Sequence, residues 1–226
     1  MDIARLVGLR VRDRDGELAN VFDRAAADIG AMAAQADPAH IAPALVEAVV
    51  RDPTSWSAWL HTVLEQSPPE LAAQALRRLS ERPDPKPGWM VLVRQLADAA
   101  GDIDAYRASW PAAALKTPAI AAGLAQRLLG AGRIEEAGKL LEASAPARPK
   151  ARLWPLGRDV TDPDFDWESA WIDYLDLAGR TEEAQAARWS SFERTLSAER
   201  AKAFAGRLTG FDDVEAEGRA FALASG

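Results

Sequence analysis

Apolar residues along most of the chain recur at intervals of three and four positions, with polar residues between them. This spacing places the apolar side chains on one face of an α-helix, which has 3.6 residues per turn. Leu18, Phe22, Ala25, Ile29 and Met32 form the first such face. The strict alternation that predicts a β-strand does not occur. We therefore predict an all-α protein.

Prolines and glycines mark the borders of the predicted helices. Asp52 followed by Pro53 ends one helix and begins the next. Proline fits the first turn of a helix, and an aspartate side chain can accept a hydrogen bond from a free backbone N–H there. Such borders predict helix pairs at about 15–82 and 88–144 and C-terminal helices at 166–224.

The helical spacing fails between residues 145 and 165, a stretch that contains four prolines. A connection of about 20 residues is longer than the usual link between two helices. We predict one irregular long loop here. Because 226 residues leave little room for two unrelated domains, we predict a single helical repeat domain over 1–226.

A short sequence recurs at the predicted turns. Gly132 to Ala137 reads Gly-Arg-Ile-Glu-Glu-Ala, and Gly179 to Ala184, 47 positions later (179 minus 132), reads Gly-Arg-Thr-Glu-Glu-Ala. Ala100 to Ala105 is a looser copy. Glycine suits the left-handed backbone that ends a helix, and acidic residues favour the positive end of the next one.

Glycine followed by alanine five positions later resembles the turn of the tetratricopeptide repeat, a helix pair that stacks into an α-solenoid. The spacing of the copies differs from the period of that repeat, which is about 34 residues. We predict stacked antiparallel helix pairs of this type, with a degenerate repeat and one insertion.

Four segments in the last third carry a wider resemblance: Trp171 to Leu175, Gly179 to Gln185, Arg188 to Ser197 and Phe211 to Glu217. They resemble the C-terminal part of a family of uncharacterised bacterial proteins, a domain of unknown function with tetratricopeptide-like helices. The resemblance implies the helical fold and brings no catalytic residue with it.

The charge of the chain narrows the class of partner. Its 27 basic and 34 acidic residues give a net charge of -7, which repels phosphate backbones. No apolar run approaches the roughly 20 residues that a membrane helix needs, and the first residues lack the basic region of a signal peptide. We expect a cytoplasmic protein that binds neither nucleic acid nor membranes.

The sequence contains little material for a catalytic or metal site. It has no cysteine, and its two histidines, His40 and His61, fall in different predicted helices. Zinc and iron sites need more ligands than these two residues supply. We predict no catalytic residue, no metal and no cofactor.

A calcium loop is the nearest match to a known metal motif. Asp162, Asp164, Asp166 and Asp173 have the spacing of its first, third, fifth and twelfth positions. Trp167 stands at the sixth position, where the loop needs glycine for a sharp turn. We interpret Asp164 or Asp166 instead as the cap of the helix that follows.

Several tryptophans and arginines are candidates for binding a partner, because these residue types dominate the energetics of protein interfaces. Trp59 lies off the apolar face of its helix, and Trp154 lies in the irregular loop between two arginines. The alternative, a loop packed back onto the helices by one tryptophan, stays open. The predicted partner-binding residues are Trp59, Arg152, Trp154, Arg158, Arg188 and Arg194.

Three functions remain open from the sequence. The leading one is a protein–protein interaction scaffold that binds a protein or peptide and has no catalytic activity of its own. The second is an enzyme or small-ligand binder at the 145–165 loop, and the third is a C-terminal oligomerisation module. The second would use Asp159, Asp162, Asp164 or Asp173 with Arg152 or Arg158, and the third the amphipathic end Phe211 to Leu223.

Overall fold

The computed structural model describes residues 17–82, 88–146 and 165–207. The prediction of an all-α protein is confirmed for these residues, which form eleven α-helices and one short 3-10 helix at Ala114–Lys116 and contain no β-strand. The helices are α1 (Glu17–Ala34), α2 (Pro38–Arg51), α3 (Pro53–Glu65), α4 (Pro69–Ser80), α5 (Trp89–Ala100), α6 (Ile103–Ala108), α7 (Pro118–Gly130), α8 (Ile134–Ala143), α9 (Phe165–Leu177), α10 (Thr181–Thr195) and α11 (Ala198–Ala205).

Local side-chain chemistry sets the helix borders in the way that the sequence predicts. Pro53 is the first residue of α3, and Oδ1 of Asp52 accepts a hydrogen bond from the backbone N–H of Ser55 at 3.4 Å. Asp37 caps α2 in the same manner, through the N–H of Ala39 at 2.9 Å. A cap of this kind stabilises a helix by about 1 kcal/mol.

The chain divides into two compact units, Met1–Trp110 and Pro111–Gly226. The border lies inside the stretch 88–144, which the apolar spacing assigns to one set of helix pairs. Among the described helices, none is both long enough and apolar enough to cross a membrane.

In the first unit, helices pack mainly against the next helix but one. Helix α1 packs against α3, α3 against α5, and α2 against α4, while α5 also contacts α4 and α6. Trp56 and Trp89 lie inside this core. Its fully buried large side chains are Val49, Leu60, Val63, Leu71, Leu79, Leu92 and Leu96.

In the second unit, α7 packs against α8 and α9, α9 also packs against α8 and α10, and α10 packs against α11. We call Pro118–Ala143 the first hairpin and Phe165–Thr195 the second hairpin. The first helices of the two hairpins are both 13 residues long and begin 47 positions apart, at Pro118 and Phe165. The second helices, α8 and α10, begin at the same separation.

The two copies of the repeated sequence form the same turn. Gly132 and Gly179 have φ angles of 74° and 73°, a left-handed conformation that glycine adopts without strain. The N–H of the following arginine donates to a leucine carbonyl oxygen in both turns, at 2.9 and 2.8 Å. The arginine side chain then forms a two-pronged ion pair with a glutamate, Glu136 in the first turn and Glu183 in the second. The turns and the first residues of the four helices therefore correspond at an offset of 47, although α8 has 10 residues and α10 has 15.

A close contact joins α8 to α9. Gly138 lies against the ring of Tyr174, and a Cβ atom at position 138 would stand 2.5 Å from two of the ring carbons. Two carbon atoms cannot approach this closely, so the contact depends on the missing side chain.

We predict that Gly138→Ala lowers the free energy of unfolding by about 1–3 kcal/mol, because the new methyl group overlaps the Tyr174 ring. Urea denaturation measures the effect. Gly130→Ala is the matched control, since a Cβ there meets no atom within 4 Å, and it should leave stability unchanged or raise it. An equal loss in both variants would contradict the close packing.

Candidate functional site

Polar side chains follow one face of α9 in the second unit. Ser169, Asp173 and Asp176 lie at the spacing that places residues on the same side of a helix. Arginines from α10, from α11 and from the residues just after α11 approach this face. We define the charged cluster as Asp173, Asp176, Arg188, Arg200 and Arg207.

A buried ion pair joins α9 to α10 in this cluster. The guanidinium of Arg188, a residue only 4% exposed, donates to Oδ2 of Asp176 and, at 3.0 Å, to Oε1 of Gln185. The same Asp176 oxygen lies 3.2 Å from a guanidinium nitrogen of Arg207. Asp176 therefore forms ion pairs with two arginines, one buried and one at the surface.

Arg200 is a second buried guanidinium with different surroundings. It is 7% exposed, and it donates to the carbonyl oxygen of Phe165 at 3.0 Å and to Oγ of Ser169 at 2.7 Å. Its central carbon lies 4.0 Å from the centre of the Phe165 ring. Within the described residues, no carboxylate lies at ion-pairing distance from Arg200, and its Nε has no hydrogen-bond partner. Its hydrogen bonds go to neutral groups, and the nearby carboxylate of Asp173 interacts with its charge without pairing with it.

Asp173 is the carboxylate of the cluster with a shifted pKa. The side chain remains in contact with solvent, but neighbouring protein removes part of its hydration. This loss, and then the nearby carboxylate of Asp176, raise the pKa of Asp173 above its ordinary value. Arg188, Arg200 and Arg207 oppose the shift without cancelling it.

The first hairpin has apolar residues where the second has this polar network. At the offset of 47, Ala122 corresponds to Ser169, Leu129 to Asp176, and Leu141 to Arg188. All three residues of the first hairpin are buried. The helix-pair fold therefore forms without charges at these positions. Because a buried ion pair is often no more stable than apolar residues of similar size, packing alone does not explain the cluster.

The structure places the sequence-predicted residues at separate points. Arg188 belongs to the cluster, whereas Arg194 pairs with Glu168 of α9, whose other oxygen accepts from Ser191 Oγ at 2.7 Å. Trp59 belongs to the first unit, where its half-buried ring lies 5.5 Å from that of Phe22. Contact of these residues with a partner stays a prediction. Arg152, Trp154 and Arg158 lie outside the described residues.

Most of the carboxylates that the sequence suggests for an enzyme or calcium site lie in parts of the chain that the structure does not describe. Asp159, Asp162 and Asp164 lie outside the described residues, as does Phe211 to Leu223. Residues 166–173, which a calcium loop would wrap around the ion, lie within α9. In the described ranges, no group of three or more histidine, cysteine or acidic residues could hold a metal ion.

The two histidines lie at the surface of the first unit. The side chains of His40 and His61 are 85% and 70% exposed, and each lies 3.1 Å from a carboxylate oxygen one helical turn away. These carboxylates belong to Asp37 and Glu65. The pairs are local contacts at the surface.

Comparison with known proteins finds a family model that matches the part of the chain containing the charged cluster. A family model described as "Family of unknown function (DUF6880)" matches residues 86–226. The chain belongs to this family. The DUF6880 match covers α5 to α11 and therefore the whole charged cluster. No curated protein and no solved structure matches the chain.

Three members of the cluster were not among the residues predicted from the DUF6880 sequence: Asp176, Arg200 and Arg207. The offset between the repeated turns contains a signal for the first of them. Aligning the two hairpins at 47 positions sets Asp176 against a leucine and Arg188 against another leucine. Two charges of opposite sign at buried apolar positions indicate an ion pair. No comparable copy exists for Arg200 and Arg207, so the sequence holds no such signal for them.

We predict that Asp176→Ala lowers the free energy of unfolding by about 3 kcal/mol, because it leaves Arg188 buried without a carboxylate. The double variant Asp176→Leu/Arg188→Leu, which copies the first hairpin, should recover most of this loss. Urea denaturation of both variants measures the difference. A double variant less stable than Asp176→Ala would contradict the equivalence of the hairpins.

The raised pKa of Asp173 predicts a dependence of stability on pH. The folded protein holds the Asp173 proton more tightly than the unfolded chain does, so ionisation of Asp173 destabilises the fold as the pH rises from about 4, the unfolded-state pKa. Asp173→Asn should therefore be more stable than the wild type at neutral pH, by a small amount because the group is exposed. The difference should vanish in acid. Denaturation across pH tests this, with Asp23→Asn as the baseline for losing one exposed carboxylate.

Proposed function

We propose that this protein is a protein–protein interaction scaffold whose helix pairs stack in the tetratricopeptide-like manner to present a surface to a protein or peptide. The observation that carries the proposal is the equivalence of the two hairpins, whose first helices, α7 and α9, pack against each other. Addition of equivalent hairpins side by side is how α-solenoids build an extended binding surface.

The packing within the first unit supports the same proposal. Contacts between next-but-one helices, α1 with α3, α2 with α4, and α3 with α5, are expected when successive helices alternate between two layers. A two-layered stack leaves the outer side of each layer free for a partner. The family resemblance adds the expectation that the partner is a bacterial protein.

The chemistry of the charged cluster favours binding over catalysis. Its serine neighbours have assigned partners, since Ser169 Oγ donates to the Phe165 carbonyl oxygen and Ser191 Oγ to Glu168. A serine nucleophile needs a base beside it, most often histidine, and the histidines of the whole chain are at positions 40 and 61. Arginine and aspartate in mutual contact are instead a means of recognising a charged partner.

We predict that the full-length chain, tagged in its native cells and crosslinked before purification, captures one or a few proteins in stoichiometric amounts. A captured protein should then bind the purified chain in a two-component titration and protect amides of the second unit from hydrogen exchange. The tag alone is the control for capture. A chain that captures no protein able to bind it in the two-component titration would contradict the scaffold.

A further inference from the structure

Among the residues that the structure describes, the charged cluster has one arginine more than it has carboxylates. Three arginines, Arg188, Arg200 and Arg207, face two aspartates, and Asp176 is shared between the first and the last of them. The surplus is positive, although the chain as a whole has a net charge of -7. A local excess of the minority sign attracts a ligand that the rest of the surface repels.

Arg200 is the arginine of the cluster that has no carboxylate at ion-pairing distance among the described residues. Removing an arginine from water costs several kcal/mol, and a carboxylate usually offsets that cost. Here a carbonyl oxygen and a hydroxyl take its place, and the buried Nε has no acceptor among the residues that the structure describes. The side chain is thus held in position with hydrogen-bonding capacity unused.

Arg207 gives the cluster an open side. Its side chain is 59% exposed, and its contact is with Asp176, which Arg188 already neutralises. Arg207 can therefore leave Asp176 and bind an incoming carboxylate, while Asp176 remains paired with the buried Arg188. The exposed carboxylate of Asp173 stands nearby and limits how much negative charge can enter.

We propose that the charged cluster binds an acidic segment of the partner protein, with one aspartate or glutamate side chain held by Arg207 and facing Arg200. The first hairpin supports this, because apolar residues fill the equivalent positions there and the fold does not need the charges. A carboxylate suits the cluster better than a phosphate group, because one carboxylate balances the surplus of one positive charge, whereas a phosphate dianion would leave the cluster with a net negative charge. The inference rests on the proposed scaffold function.

The test uses the full-length chain and a fluorescent hexaglutamate peptide that is acetylated and amidated, so that only side-chain carboxylates are present. Fluorescence anisotropy at low salt should show binding by the wild type. Arg207→Gln should weaken it about tenfold, since charge-assisted hydrogen bonds are lost. Arg78→Gln removes the same charge from an exposed residue of α4 and should change binding by less than about twofold. Asp173→Asn should tighten it.

A second readout does not depend on affinity. The ¹⁵N resonance of Arg200 Nε should shift as the peptide is added to the wild type, and it should shift much less in Arg207→Gln at the same peptide concentration. We vary Arg207 because replacing buried Arg200 would also lower the stability of the fold. Urea denaturation checks that Arg207→Gln remains folded.

Several outcomes would overturn the inference. They are no binding by the wild type, equal losses in Arg207→Gln and Arg78→Gln, or tighter binding of a phosphoserine peptide than of hexaglutamate. Equal or tighter binding of a hexaglutamine peptide with a free C-terminus would assign the site to a terminal carboxylate instead.

The scaffold function can fail separately. A captured partner that binds the wild type and Arg207→Gln equally well would leave the scaffold standing and overturn the acidic-segment site. Peptide binding that depends on Arg207, in a chain that captures no protein partner, would support the site and contradict the scaffold.

Discussion

The close approach of neighbouring helices is the constraint on which the second unit depends. Ala137 and Ala184 are fully buried at the start of the second helix of each hairpin, and Gly138 lies directly against the Tyr174 ring. Small side chains at these points let the helices come near enough for their larger residues to interlock. The turn, with its left-handed glycine and its arginine–glutamate pair, then sets the direction in which the second helix of the hairpin leaves the first. The contacts of α9 with α10, the charged cluster among them, form on this frame.

Two hairpins with the same turn and the same helix starts fill their interiors with different chemistry. The first uses Leu129 and Leu141, and the second uses Asp176 and Arg188 at the same positions. A buried ion pair has stricter requirements than a pair of leucines, because it needs hydrogen-bond partners at fixed distances and directions. The second hairpin gains a buried ion pair that the first lacks, and Arg207 contacts this pair from the surface. The proposed binding of an acidic segment uses this difference between otherwise matching units.

The helices of this protein could be predicted from the sequence because local chemistry determines them. The cap at Asp52 and Pro53 and the glycine turns set helix borders through contacts within four or five residues. A sequence pattern shows contacts of this range directly. The cluster could be predicted only in part. Arg188 was visible as an arginine on a helix, but its burial depends on Asp176, twelve positions earlier and on another helix. Arg200 meets Phe165 and Ser169 across more than thirty positions, a contact that only the packed structure reveals.

The contrast between leucines and an ion pair has a thermal consequence. The stabilisation from burying leucine side chains weakens on cooling, because the hydration of apolar groups is then less unfavourable. The cost of removing charges from water falls on heating, because the hydration of ions loses free energy as the temperature rises. Both interiors therefore lose stability on cooling, the first because leucine burial stabilises it less and the second because its charges cost more to remove from water, and heating lowers the cost of the ion pair in the second hairpin.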